Sequence, residues 1–249
     1  MAELVYPPVI AAARTVFRLM DYRFQMEGVD RVPARGGAVL VSNHISYLDF
    51  IFAGYAAFPA GRKVRFMAKK QVFDHPISGP LMRGMRHIPV DRSAGADSYA
   101  HALGLVRSGE IVGVFAEATI SRSFTVKEIK NGAVRLAQEG GVPLLPVALW
   151  GTQRLWTKGR PKRLTQRHVP ISILVGEPMQ VGPDDDVAAL TLDLRERMRG
   201  LVDRAQAEYP EREAGAWWLP AHLGGSAPTP EEAAALDAEE AAQRAAKRR

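Results

Sequence analysis

A chain of 249 residues is long enough to bury a large core, and one sizeable α/β domain with appended segments suits that length better than two full domains. A composition of 47% hydrophobic and 24% charged residues excludes wholesale disorder, collagen and a long coiled coil, and the lack of any cysteine excludes disulfides, thiolate zinc sites and a catalytic thiol. A formal charge of +6 and a pI near 9.7 point to an anionic partner, whether nucleic acid, a phosphorylated metabolite or an acidic membrane surface.

In chain order, residues 7–25 carry Val9, Ile10, Ala13, Val16, Phe17, Met20 and Phe24 at spacings of three and four, with Arg14, Arg18 and Arg23 largely on another side. This predicts an amphipathic helix opened by Pro7-Pro8. It is either packed on the core or laid in the lipid headgroup region with Phe17 among its membrane contacts. Between 38 and 176, strand-like runs at 38–41, 64–67, 87–90, 111–115, 144–149 and 171–175 alternate with helical patterns at about 46–57, 76–84, 96–108 and 131–140. Such alternation predicts an α/β domain with a mixed, largely parallel central sheet flanked by helices, and functional groups at the strand ends. Residues 187–209 read as one more surface helix, and beyond Trp217-Trp218 the chain turns to Gly, Pro, Ala and Glu, suiting a solvated helix or a frayed tail. The expected division is an N-terminal helical segment (1–29), the α/β domain (30–210) and a C-terminal extension (211–249). No apolar stretch of about 18 residues and no signal-peptide pattern occurs, so no bilayer-spanning helix is expected.

The stretch Ser42-Asn43-His44-Ile45-Ser46-Tyr47-Leu48-Asp49 holds the sharpest chemical signal. Five residues along a regular helix rotate a side chain by about 500°, so His44 and Asp49 meet only if the chain turns between them. A strand ending near Ser42, a turn at Asn43 and His44, and a helix capped by Ser46 with Asp49 at its third position would allow this. Two readings stay open on these residues alone: a capping box with an incidental histidine, or a histidine whose tautomer is fixed by a carboxylate, leaving its outer nitrogen to take a proton from a hydroxyl. The second is two thirds of a hydrolase triad with no committed serine.

Further on come Gly84 to Arg92, then Phe115-Ala116-Glu117-Ala118-Thr119 with Arg122-Ser123, then Val142-Pro143-Leu144-Leu145-Pro146. With Asn43-His44-x-x-x-x-Asp49 in front, this ordered set resembles the four motifs of the glycerolipid acyltransferase family over roughly residues 30–180. The third motif departs from the family's Phe-Pro-Glu-Gly-Thr-Arg-Ser: Ala116 and Ala118 replace proline and glycine, and Ile120-Ser121 precede Arg122.

The resemblance implies acyl transfer from acyl-CoA or acyl carrier protein to the free hydroxyl of lysophosphatidic acid, with glycerol 3-phosphate or another lysolipid as the alternative acceptor. His44 would be the general base oriented by Asp49, with no acyl-enzyme, metal or cofactor. Arg92, Arg122 and Lys69 would hold the acceptor phosphate, with Asn43, Gly84, Glu117, Thr119 and Ser123 as motif residues. Glu117 would bind the glycerol hydroxyl or a structural partner. Lys70, Lys127 and Lys130 would serve a CoA phosphate or be solvated. The segment 152–168 sets Arg160, Lys162 and Arg163 around Trp156. No nucleic-acid recognition module lies nearby, so an anionic membrane surface is the expected contact. These readings place the protein peripherally on the cytoplasmic face of the cell membrane.

Overall fold

In this computed structural model residues 4–91 and 95–246 are described; the predicted phosphate ligand Arg92 lies outside them. The elements are α1 (Tyr6–Leu19), β1 (Arg23–Glu27), β2 (Ala38–Ser42), α2 (Asp49–Tyr55), β3 (Val64–Lys69), α3 (Lys70–Asp74), α4 (Ser78–Gly84), β4 (Ile88–Val90), α5 (Gly95–Arg107), β5 (Ile111–Val114), α6 (Gly132–Gly140), β6 (Leu144–Trp150), β7 (Pro170–Val175), α7 (Val187–Ala207) and α8 (Pro230–Ala246). The seven strands form one sheet in the order β1-β7-β6-β2-β5-β3-β4, parallel throughout except where β7 runs against β6.

The near-continuous apolar strands are what a sheet covered on both faces requires. Successive side chains point to opposite faces, and β2 shows the result. Val39 and Val41 join the core shared with α5, α6 and α7, whereas Ala38 and Leu40 join the core shared with α1 and α2. Parallel strands also place their carboxyl ends along one edge, where loops leave β2, β3, β4, β5 and β6 together.

The N-terminal helix is shorter than its apolar spacing predicts. The Tyr22 N–H bonds back to the Phe17 carbonyl at 3.0 Å, and Asp21 takes a left-handed φ of 51°. The chain then lies down as β1, the edge strand paired parallel to β7, where helix had been expected. Phe17 is only 8% exposed and stacks on Phe52 with ring centroids 5.2 Å apart. Its expected role as a membrane contact is therefore corrected: it packs on the core. At the other end, α8 is a formed helix with a capping box, the Thr229 N–H donating to Glu232 at 2.9 Å and the Glu232 N–H to the Thr229 hydroxyl at 3.2 Å.

Candidate active site

The strand β2 is prolonged by a side chain. Asn43 donates from Nδ2 to the Leu149 carbonyl at 3.0 Å and accepts the Leu149 N–H at 2.8 Å, so its amide fills a rung of the ladder between β2 and β6. The next residue is clamped from the loop after β5. The His44 N–H donates to Glu117 Oε1 at 3.0 Å, and the His44 carbonyl accepts the Ser121 N–H at 2.7 Å. The imidazole lies on Phe115, ring centroids 4.3 Å apart and planes inclined by 24°.

Asp49 stands at the first position of α2 and turns its carboxylate back over the approach to the helix. Its Oδ2 accepts the N–H groups of Ile45 and Ser46 at 2.6 and 2.7 Å and lies 3.0 Å from His44 Nδ1. Its Oδ1 accepts the Thr152 hydroxyl at 2.7 Å. The carboxylate is fully buried, with every near neighbour a donor, so the proton between it and the ring belongs on Nδ1. Nε2 is then a bare lone pair, and it bonds to none of the described residues. The imidazole keeps 21% of its side-chain surface exposed, enough for a substrate hydroxyl to reach it.

The expected cap at Ser46 is corrected. The residue before α2 is Leu48, with no side-chain cap. Ser46 Oγ instead accepts the Leu48 N–H at 3.1 Å and donates to the Trp156 carbonyl at 2.8 Å. What brings Asp49 to His44 is the pair of backbone N–H groups on its own Oδ2, steadied by Thr152 just past β6. Thr152 and Ser121 were not singled out from sequence: Thr152 lies 103 residues from the Asp49 it bonds, and Ser121 gives His44 only a backbone N–H, so neither contact leaves a side-chain pattern to read.

Glu117 is buried with both oxygens engaged, Oε1 by His44 N–H and Oε2 by Lys127 N–H at 3.2 Å. It is a brace between the two loops, the structural one of its two expected roles. Burial pushes its carboxyl up to about 8, against the lowering effect of those N–H bonds and of the Lys127 charge. His87, buried beside Arg65 with Nδ1 accepting the Phe66 N–H at 3.0 Å, is driven the other way, to about 4, by burial and then by the Arg65 charge.

These two groups shape the dependence of stability on pH. The raised Glu117 value favours the fold fully below its ordinary 4.5, and this contribution is lost as pH rises through 8. The depressed His87 value favours the fold above its ordinary 6.5, and this is lost as pH falls through 4. From about pH 4.5 to 6.5 the two offset each other. Between 6.5 and 8 only Glu117 acts, so the free energy of unfolding is expected to fall there. Urea titrations across this range check it, and a rise from pH 6.5 to 8 would contradict it.

Ala118, at the glycine position of the third motif, has a φ of 60°, the left-handed region that glycine occupies without cost. Ala118→Gly is expected to stabilise the fold by about 0.5–1 kcal/mol, the net of relieved strain and a looser unfolded chain. A urea midpoint lowered by the substitution would show that the turn carries no strain, since only the entropy cost of glycine would remain.

The remaining predicted residues separate into groups. Arg122 directly follows Ser121, whose N–H holds the His44 carbonyl, but its guanidinium is held by carboxylates of α8, Nε 3.1 Å from Asp237 and Nη2 2.9 Å from Glu240. Ser123 is buried, its hydroxyl turned to Ser121 and Thr125 at 3.2 and 2.8 Å, so it faces its own turn rather than an acceptor. Thr119 is half-buried in the same loop. Lys69 is exposed at the end of β3. Gly84 is a packing residue, since a Cβ there would come within 2.6 Å of Val5. In the 152–168 segment Lys162 sits 4.2 Å over the ring of Trp156, while Arg160 and Arg163 lie 5.2 and 5.7 Å from the ring centre of Trp217.

A profile of the Acyltransferase family matches residues 23–150, just over half of the chain and inclusive of His44, Asp49 and Glu117. The chain belongs to the acyltransferase family. Among its relatives, the 1-acyl-sn-glycerol-3-phosphate acyltransferase of Bacillus subtilis (strain 168) is 30% identical over 185 residues, covering 70% of this chain and 86% of that protein. The chloroplastic 1-acyl-sn-glycerol-3-phosphate acyltransferase LPAT1 of Arabidopsis thaliana is 29% identical over 162 residues, which is 64% of this chain but 44% of the plant protein. The crystal structure of the 1-acyl-sn-glycerophosphate acyltransferase PlsC from Thermotoga maritima superposes with a TM-score of 0.68 at 24% identity, over 82% of this acyltransferase and 81% of that chain, and so shares its fold. Among the described residues no helix is long and apolar enough to cross a membrane.

Proposed function

We propose that the acyltransferase moves a fatty acyl group from an acyl thioester, acyl-CoA or acyl carrier protein, to the free hydroxyl of 1-acyl-sn-glycerol 3-phosphate, giving phosphatidic acid at a membrane surface. The observation that carries this reading is the imidazole held at Nδ1 by a buried carboxylate 3.0 Å away, with Nε2 bare at the carboxyl edge of the sheet. His44 Nε2 takes the acceptor's hydroxyl proton as its oxygen attacks the thioester carbonyl. Collapse of the tetrahedral adduct expels the thiolate, which recovers that proton from the imidazolium. Asp49 holds the tautomer throughout and offsets the positive charge on the ring. The printed activities of the Bacillus and Arabidopsis relatives favour this acceptor.

Support for action at a membrane comes from apolar side chains turned outward. On α1, Val16 and Leu19 are 47% and 60% exposed; Ile77, just before α4, is 73% exposed, and Leu81 of α4 is also exposed. The basic rim of the 152–168 loop would add attraction to anionic headgroups, about 1 kcal/mol per residue.

The test is CoA release from palmitoyl-CoA with lysophosphatidic acid in anionic vesicles, compared with glycerol 3-phosphate. A much faster rate with the lysolipid is expected, along with salt-sensitive co-sedimentation of protein and vesicles. Equal or inverted rates would remove the acceptor assignment, and salt-insensitive sedimentation would remove the electrostatic share of docking. The lack of cysteine frees thiol detection of CoA from internal background.

A further inference from the structure

The C-terminal helix touches the catalytic loops through charge. Three cations converge on two carboxylates of α8. Asp237 Oδ1 lies 3.1 Å from Arg122 Nε and 2.6 Å from Lys158 Nζ, and Oδ2 lies 2.9 Å from Lys127 Nζ. Glu240 Oε2 lies 2.9 Å from Arg122 Nη2 and 2.7 Å from Lys158 Nζ. The cations stand on the loops that build the site. Arg122 follows Ser121, whose N–H holds the His44 carbonyl, and Lys127 gives its N–H to the same Glu117 that holds His44 N–H. Lys158 is two residues beyond Trp156, whose carbonyl accepts from Ser46 and Tyr47.

We infer that α8 is an internal competitor for a phosphate monoester: Asp237 and Glu240 occupy, on Arg122, Lys127 and Lys158, the place that a substrate phosphate takes when the helix moves off. This rests on the acyl-transfer reading above, in which the acceptor phosphate and the 3′-phosphate of CoA are both monoesters. Charge matches, since two carboxylates carry the same −2 as a phosphate monoester dianion, and three cations suit either.

The way α8 is held makes it displaceable. Its inward residues, Ala233, Asp237 and Glu240, fall at successive helical turns, and its single large apolar residue, Leu236, stays 40% exposed. Ion pairs therefore hold it down with little apolar burial, and those contacts can be exchanged for another anion's. The helix is also self-sufficient: its capping box and its Ala- and Glu-rich sequence favour helix whether docked or free. Burial would raise the Asp237 carboxyl, but hydrogen bonds from Lys158, Lys127 and Arg122 hold it at about 2, so it stays anionic at working pH. Release then depends on a competing anion, not on protonation.

The experiment has a kinetic and a physical arm. In D237N/E240Q, KM for lysophosphatidic acid is expected to fall about tenfold with kcat kept, because a cluster occupied nine-tenths of the time raises apparent KM by that factor. A fall confined to palmitoyl-CoA would support the same site with the donor's 3′-phosphate as its ligand. No fall for either substrate, or a rise, overturns the inference. For the physical arm, A242C adds the sole cysteine of the chain on the exposed side of α8. A fluorophore there, in an otherwise native protein, should lose anisotropy as short-chain lysophosphatidic acid or CoA is added below micellar concentrations. Unchanged anisotropy at saturation with both overturns the inference even where the double variant folds poorly. Turnover with a motionless label would sink the helix and spare the acyl-transfer reading, whereas a released label without turnover with either acceptor would do the reverse.

Discussion

His44→Ala is expected to fold normally and lose about 10²- to 10⁴-fold in kcat/KM for acyl transfer, the range that a positioned general base supplies. Folding should survive because the ring is partly exposed and its backbone N–H and carbonyl, which remain, carry the bonds to Glu117 and Ser121. The truncation deprives Asp49 Oδ2 of one donor but leaves it the two backbone N–H groups. Residual turnover should come from positioning of the two substrates alone. The measurement is CoA release by purified protein with a thermal midpoint close to wild type. A folded variant that turns over at the wild-type rate would falsify the assignment of His44 as base.

Asp49→Asn is the second large effect, and it separates charge from geometry. Rotated so that its carbonyl oxygen faces Ile45 N–H, Ser46 N–H and His44 Nδ1, the amide keeps all three donors, and its NH₂ can donate to the Thr152 hydroxyl, whose role then reverses. What is lost is the negative charge beside a ring that the proposed mechanism makes cationic. A drop of about 10²- to 10³-fold in kcat is expected, comparable to the loss of one preorganised electrostatic contact, with only a small shift in thermal midpoint. Asp49→Ala differs in kind. It orphans two buried N–H groups at about 1–3 kcal/mol each, so it should lose both turnover and stability. If the asparagine variant matches wild type in turnover, Asp49 serves the turn and not the chemistry.

Much of this was legible from local pattern. The six strand-like runs all became strands, because an apolar run of four to seven residues bounded by Gly, Pro or polar residues has few other uses in a chain that alternates with helices. What was readable at His44 and Asp49 was a condition, that at five residues apart they meet only across a turn; the choice of a working pair over a capping box came with the resemblance of the ordered motifs. The edge strand β1 was not readable, since Phe24 continued the three-and-four spacing of the helix before it, and only pairing with β7 tells the two apart. Phe17 was ambiguous for a similar cause. An aromatic on an amphipathic face looks the same whether Phe52 or a lipid covers it. Arg122 is the instructive case, because its partners lie 115 and 118 residues away in a segment whose composition suggested a solvated helix or a frayed tail and no partner for it. Long-range electrostatic pairing leaves no periodic trace.

The Asn43 amide that completes a rung between β2 and β6 ties catalytic competence to the maturation of the sheet. Because the rung immediately precedes His44, completing the pairing of those two central strands fixes where the proposed base leaves the sheet. Recovery of activity during refolding should therefore coincide with protection of the Leu149 amide against hydrogen exchange, with no lag in which a completed sheet waits for its catalyst.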